Sequence, residues 1–318
     1  MEKFGKSQSV LRREDDRFLT GRGQYVDDTT PEGALHGYVL RSSYAHGVIT
    51  ALDTQEAEEA EGVHLVLTAA ALETAGLSGK MEASLVKNQD GQLAPNTDRF
   101  LLAKDKVRFV GEPVAMVFAE TYAQARAAAD MIELEVDDLP VHLELQPGGP
   151  NLHEAAPNNV AFDWALGDSA QMEAVKAKAA HVLSFEISDN RVICNSMEPR
   201  GCWADIEDGR VHLCVNGQGV WSQKGQLAKM LSLPESEIRV TNPDVGGGFG
   251  MKAMTYPEYF LTAQAARMLN RSVRWMSDRS EAMLSDNGGR DLTSTATLAL
   301  DADHKIIGYR VETLANMG

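Results

Sequence analysis

Between residues 47 and 68 the spacing of apolar residues changes period twice. The run "GVITALD" alternates as a half-buried strand does, "TQEAEEAEG" reads as a short helix stopped at Gly62, and "VHLVLT" returns to a strand pattern. A second unit follows the same plan. "EPVAMVFA" is the unbroken apolar run of a buried strand, Thr121 is placed to N-cap "YAQARAAADM", and "IELEVDDLP" alternates again up to Pro140. Residues 147–164, "PGGPNLHEAAPNNVAFDW", are too dense in Pro, Gly and Asn for a regular element. A domain boundary is expected there, giving one domain over residues 1–148 and a second over 149–318.

The second half begins with the alternating strand "HVLSFEISD". Next comes "GCWADIEDGRVHLCV", two strands around an Asp208-Gly209 turn suited to a hairpin. In "VWSQKGQLAKML" the residues Val220, Leu227, Met230 and Leu231 fall near helical spacing, and "EIRVTNPDV" is a strand that feeds a glycine-rich loop. Beyond the loop, "YPEYFLTAQAARML" predicts a helix with an apolar stripe, "SVRWMSD" a strand, and "DLTSTATLALDADHKIIGYRVETLANMG" a hairpin whose second strand reaches the end of the sequence.

Bulk composition narrows the function classes. The 318 residues, 43% hydrophobic, suffice for about two domains with substantial cores. Against 30 basic residues stand 46 acidic ones, a formal charge of -16, which repels nucleic acid and anionic membranes alike. The three cysteines, Cys194, Cys202 and Cys214, form no CxxC pair, and the histidines show no ligand spacing, so neither a disulfide framework nor a zinc or iron–sulfur site is encoded. No apolar run precedes the charges of "MEKFGKSQSVLRREDDRF" or reaches bilayer length elsewhere, and a cytoplasmic location is expected.

The candidate chemistry sits in "NPDVGGGFGMKA", residues 242–253. A dinucleotide fingerprint fails on spacing, because the sixth position counted from Gly246 is Met251. A P-loop fails too, because Lys252 is followed by Ala253. Two readings survive: a tight turn with close packing, or a bare loop whose N–H groups approach an anionic or oxo-bearing ligand, with Phe249 as one wall.

On "VGGGFGMK" the chain resembles the molybdopterin-binding large subunit of the xanthine dehydrogenase, aldehyde oxidase and aerobic carbon monoxide dehydrogenase family. The likeness extends over most of the sequence. "GRGQYVDD", "LHGYVLRSSYAHGVI" and "VRFVGEPVAMVFAET" resemble its α/β-hammerhead domain, and "NSMEPRG", "NGQGVWSQKGQLAKML" and "VRWMSDRSEAMLSDNGGRD" resemble the first part of its molybdenum-cofactor domain. The implied fold is α+β, a hammerhead domain followed by an incomplete cofactor-binding domain.

The resemblance implies a molybdenum-pterin cofactor, its cytosine dinucleotide form included, with 2Fe-2S clusters and FAD on partner subunits. It implies oxidation of an aldehyde, N-heterocycle or similar small molecule with water as the oxygen source. By position, Gln218 matches an amide that hydrogen-bonds the metal's oxo group, and Gly247, Gly248, Phe249 and Gly250 match the cofactor loop; no side chain ligates the metal directly. Arg290 of "GGRD" matches an arginine that orients substrate in some relatives. Each has a bland alternative: Gln218 as a helix-start residue, Arg290 in a surface ion pair with Asp291 or Asp286. Glu198 of "MEPR" is a candidate for the pocket's edge or a turn residue. Purine-oxidising relatives carry a glutamate where this chain has Ala253, which sets purine recognition by that contact in doubt.

In the family the general base and most pterin contacts lie far downstream. The sequence therefore reads as an N-terminal portion of such a subunit, a fragment or one polypeptide of a split subunit, inactive without a C-terminal molybdenum-domain segment and the iron–sulfur and FAD subunits. A non-catalytic scaffold or assembly module is the competing expectation.

Overall fold

A computed structural model of the protein describes residues 11–81 and 85–317; the start of the charged N-terminal stretch lies outside them. A seven-stranded sheet runs in the order Ile238–Thr241, Arg210–Val215, Gly201–Glu207, Val273–Met276, Leu35–Arg41, Pro113–Ala119, Val63–Thr68. It takes strands from both sides of residue 149. Leu35 pairs with Val273 and Gly37 with Trp275 in parallel, while Gly201 pairs antiparallel with Met276. At Gly37 a Cβ would stand 2.7 Å from the Met116 side chain, so a bare position lets these strands close up.

The apolar run Pro113–Ala119 is buried at every residue because both of its faces are covered. Ala115 and Val117 pack with Ala128 and Ala129 of the helix Tyr122–Ala129, whose N-terminus is capped by the Thr121 hydroxyl accepting from Gln124 N. Met116 and Phe118 join Leu67, Tyr259 and Trp275 on the other face. Each such large apolar side chain contributes about 1.5–3 kcal/mol by leaving water. Asp208 (φ 50°) and Gly209 (φ 73°) make the tight turn between Gly201–Glu207 and Arg210–Val215.

The helix Pro257–Leu269 departs from the expected stripe: every residue from Pro257 to Ala266 is buried. The sheet covers one side, and Leu227, Met230 and Met251 from adjoining segments complete its surroundings. Polar Glu258 survives there because it is paired. Its two oxygens meet Arg41 Nη2 at 2.5 Å and Arg200 Nη1 at 2.9 Å, and Arg200 Nε meets Asp286 at 2.5 Å. Burying these charges costs free energy that the pairing only offsets, but leaving one partner alone costs far more, so the network fixes which segments meet. Arg41 comes from the first half of the chain and Arg200 from the second.

Two smaller three-stranded sheets flank this centre. One joins Lys106–Val107, Gly47–Asp53 and Glu133–Asp138. The other joins Ile306–Ala315, Leu292–Leu300 and His181–Asp189, and its last strand closes at Ala315, before the end of the sequence. The helix Ser169–Lys176 covers one face of that sheet, with Met172 against Gly308. The opposite face aligns Leu183, Phe185 and Ile187 with Tyr309 and Val311, all solvent-exposed, Phe185 at 52% and Tyr309 at 63%.

Candidate functional site

The strand Ile238–Thr241 delivers the chain to the glycine loop, and side chains on both flanks fix where the loop starts. Asn242 Nδ2 donates to Gly217 O at 2.5 Å, and the Asp244 carboxylate accepts from Gln24 N at 2.9 Å and pairs with Arg17. Gly246 N donates to Glu198 Oε2 at 2.8 Å, and a Cβ on Gly246 would lie 2.5 Å from Glu198 Cβ. Lys252, with no exposed side-chain surface, ends the loop by donating to Glu198 O (2.7 Å) and Oε2 (3.0 Å). Burial lowers the Lys252 pKa, opposed by the Glu198 charge. Glu198 is thus the loop's internal brace, and its carboxylate is turned into these bonds.

Gln218 lies across the loop from that brace. Its Oε1 accepts from Gly250 N at 2.9 Å and its own N–H donates to Lys252 O at 3.1 Å. It does not cap the neighbouring helix Trp221–Met230, which has no side-chain cap. A Cβ on Gly248 would lie 2.6 Å from Gln218 Cδ, so a bare residue is what lets the amide lie flat on the backbone. Because an N–H must face the amide oxygen, Nε2 is the end left to donate, and it makes no bond among the described residues. Phe249 has φ 52° and is 72% exposed, and its ring folds back toward Gly247. The backbone N–H groups of Gly247, Gly248 and Phe249 likewise have no partner among the described residues. Three consecutive free donors and one oriented amide make a cradle for an electron-rich group.

Arg290 stands on a separate loop, in left-handed backbone (φ 68°), and its side chain is 62% exposed. It faces Asp189 at 3.5 Å; Asp286 is held by Arg200 and Asp291 by Arg191. No hydrogen bond or ion pair joins Arg290 to the glycine loop among the described residues. The link is indirect, through residues 192–196. Val192 and Gly289 exchange backbone hydrogen bonds at 2.9 and 2.8 Å, Cys194 Sγ lies 3.5 Å from Phe249 O, and Ser196 packs beside Gly247.

The roles of Glu198 and Lys252 were only partly visible in the sequence. The signal was the lysine at the end of the glycine-rich stretch and the carboxylate of "MEPR", itself a candidate turn residue, but nothing in the spacing says that they meet. A cavity of about 350 Å³ lined by His36, Tyr122, Arg126, Arg274 and Asp278 shares no residue with the glycine loop. Among the described residues no group of three or more His, Cys, Asp or Glu is placed to hold a metal ion, and no helix is long and apolar enough to cross a membrane.

Comparison with known proteins adds independent findings. Residues 152–318 match the molybdopterin cofactor-binding domain, and residues 20–140 match the a/b hammerhead domain of aldehyde oxidase and xanthine dehydrogenase. The chain is similar to the nicotine 6-hydroxylase large subunit of Paenarthrobacter nicotinovorans, 38% identical over 97% of this chain and 38% of that one. It is also similar to the carbon monoxide dehydrogenase large chain of Hydrogenophaga pseudoflava, 32% identical over 99% of this chain and 40% of that one. Among solved structures, the reconstituted CO dehydrogenase from Oligotropha carboxidovorans superimposes with a TM-score of 0.86 at 30% identity, covering 97% of this chain and 39% of that one. Quinoline 2-oxidoreductase from Pseudomonas putida 86 does so at 0.81 and 34%, covering 96% and 39%. The chain spans about two fifths of the length of these relatives.

Proposed function

This chain belongs to the molybdopterin-binding family of aldehyde oxidase, xanthine dehydrogenase and carbon monoxide dehydrogenase large subunits, and from that premise we propose that it forms one wall of a molybdenum-cofactor site. The reaction proposed is oxidation of an aldehyde, an N-heterocycle or a similar small molecule with water as the oxygen source. The observation that carries the reading is the cradle: free N–H groups at Gly247, Gly248 and Phe249 beside an amide whose oxygen is already taken by Gly250.

The donor set suits the cofactor. Oxygen and sulfur atoms carrying negative charge need fixed donors, and N–H groups on a braced loop supply them without reorganising during the reaction. When bound, the cofactor supplies the two-electron redox chemistry, and the protein supplies orientation and electrostatics. Gln218 Nε2 would donate to an oxygen of the cofactor, and as an amide it stays a donor at every working pH. The exposed Phe249 ring shields one side of the site from water. Arg290 orients a substrate oxygen or carboxylate after exchanging its solvent-exposed Asp189 partner, an interaction worth only about 0–1 kcal/mol. Ala253 favours substrates other than purines.

The general base and remaining pterin contacts are proposed to come from the three fifths of the relatives' length that this sequence does not span. Iron–sulfur and FAD subunits are proposed to carry the electrons away, the cytosine dinucleotide form of the cofactor is included, and the assembly is placed in the cytoplasm. The test is an assembled subunit with Gln218→Ala. With molybdenum content retained, turnover per bound metal should fall roughly a hundredfold, the effect of losing one preorganised donor worth about 2.7–4 kcal/mol. Full metal content with an unchanged rate would remove Gln218 from the site.

A further inference from the structure

Two loops carry the proposed site, and one buried hydroxyl touches both. Tyr256, 1% exposed, donates through Oη to Met251 O at 3.1 Å, directly after the last glycine of the loop. The same oxygen accepts from Asn287 N at 3.2 Å, at the start of the loop that carries Arg290. The ring cannot drift, because the Arg200 guanidinium stands 3.7 Å from its centroid and is fully buried. Arg200 in turn holds Asp286 at 2.5 Å and Ser285 Oγ at 2.8 Å, the residues just before Asn287. Burial pushes the Tyr256 phenol up to about 12, so it remains a donor to Met251 throughout the pH range in which proteins work.

We propose that Tyr256 is a positioning residue that locks the glycine loop and the Arg290 loop into one rigid unit, setting the distance between the cofactor cradle and the substrate-facing guanidinium. This rests on the function proposed above. Gly289 is pinned to Val192, so the segment that leads into Arg290 is held at both Asn287 and Gly289. A lone hydrogen bond to either loop would stabilise that loop only; a hydroxyl that donates to one and accepts from the other transmits a displacement between them. The ring's seat on Arg200 and the helix Pro257–Leu269 supplies the fixed reference against which both are held.

Tyr256→Phe removes the hydroxyl and keeps the ring. In the intact subunit, backbone amide exchange at Gly250–Lys252 and at Asn287–Arg290 should rise together by roughly three- to tenfold, the range given by losing one neutral hydrogen bond, while the helix Pro257–Leu269 keeps its protection. Ser285→Ala takes one bond from Arg200 but leaves those to Asp286 and Glu258, and the Tyr256 hydroxyl, in place, so Gly250–Lys252 should stay unchanged. Faster exchange at Asn287 alone would overturn the proposal. If the phenylalanine variant unfolds that helix, the parent protein decides: one common opening step for the two loops under increasing denaturant supports the lock, and independent openings overturn it. The kinetic arm separates this inference from the functional reading. Joint loosening with a lowered kcat at retained molybdenum supports both. Joint loosening with normal kcat and KM keeps the lock but removes these loops from the active site.

Discussion

Lys252 Nζ binds Glu198 twice, through its main-chain oxygen at 2.7 Å and its carboxylate at 3.0 Å, from a side chain without exposed surface. The same carboxylate accepts from Gly246 N, so this one pair closes the glycine loop at both ends.

Lys252→Met is therefore expected to lower stability by about 3 kcal/mol, because it strands the Glu198 carboxylate in a mostly buried position. Urea unfolding with an unchanged denaturant slope checks this. Glu198→Gln, which keeps an acceptor for Gly246 N, should lose less than Lys252→Met; the reverse order would mean that the carboxylate's charge beside the buried ammonium, and not only its bond to Gly246 N, is what the loop needs.

Gly248→Ala tests the seat of the amide. Its Cβ would lie 2.6 Å from both Cδ and Oε1 of Gln218, so the side chain must leave Gly250 N and swing outward. Overpacking of this kind costs about 1–3 kcal/mol. In an assembled subunit, molybdenum and pterin content should fall as well. A variant with full cofactor occupancy and an undisturbed Gln218 would show that the cradle tolerates a methyl group there.

The Glu258 carboxyl sits at about 2. Burial raises it, but the charges of Arg200 and Arg41 and their hydrogen bonds outweigh that and bring it down. A depressed folded-state pKa means stability that is present above the ordinary value of 4.5 and is lost as pH falls toward about 2. The whole contribution is on the order of 3 kcal/mol. Neighbouring Glu281 runs the other way, raised by burial and further by the charge of Glu258, so Glu258→Gln also relieves part of that rise. The stability gap between those two proteins should shrink as pH drops from about 5 to about 2. Chemical denaturation at a series of pH values measures it, and a gap independent of pH would contradict the assignment.

The exposed apolar face of the sheet formed by His181–Asp189, Leu292–Leu300 and Ile306–Ala315 is expected to drive self-association of the 318-residue chain. Phe185 and Tyr309 stand on it with more than half their surface in water. Replacing both with lysine should lower self-association and binding of an apolar dye, with a change in thermal midpoint of only a few degrees. Light scattering at increasing concentration gives the answer; an unchanged association constant would put the sticky surface elsewhere.

Local elements were legible in the sequence because each one's signal is local. Thr121 announced its helix, Asp208-Gly209 its turn, and the unbroken run Pro113–Ala119 its burial. The loop was legible as a loop, and its resemblance identified the family. What could not be read were meetings between distant residues. Nothing in "MEPR" says that Glu198 lies under Gly246, and the partner of Arg290 is Asp189, from a strand far upstream, where sequence neighbours Asp286 and Asp291 were the expected candidates. The helix Pro257–Leu269 looked one-sided because Glu258, Thr262 and Gln264 are polar, whereas the ion network and close packing bury them all.

The parallel pairing of Leu35–Arg41 with Val273–Met276 has a consequence for biosynthesis. During synthesis Pro113–Ala119 becomes available to Leu35–Arg41 long before Val273–Met276 does, so the partner for the other edge of Leu35–Arg41 is the last to be made. Such long-range closure is slow and leaves an open edge for other chains to find. It also means that severing the gene in the Pro- and Gly-rich stretch at residues 147–164 would not release two self-sufficient pieces. Each product would carry part of one shared sheet, and they would need to be made together.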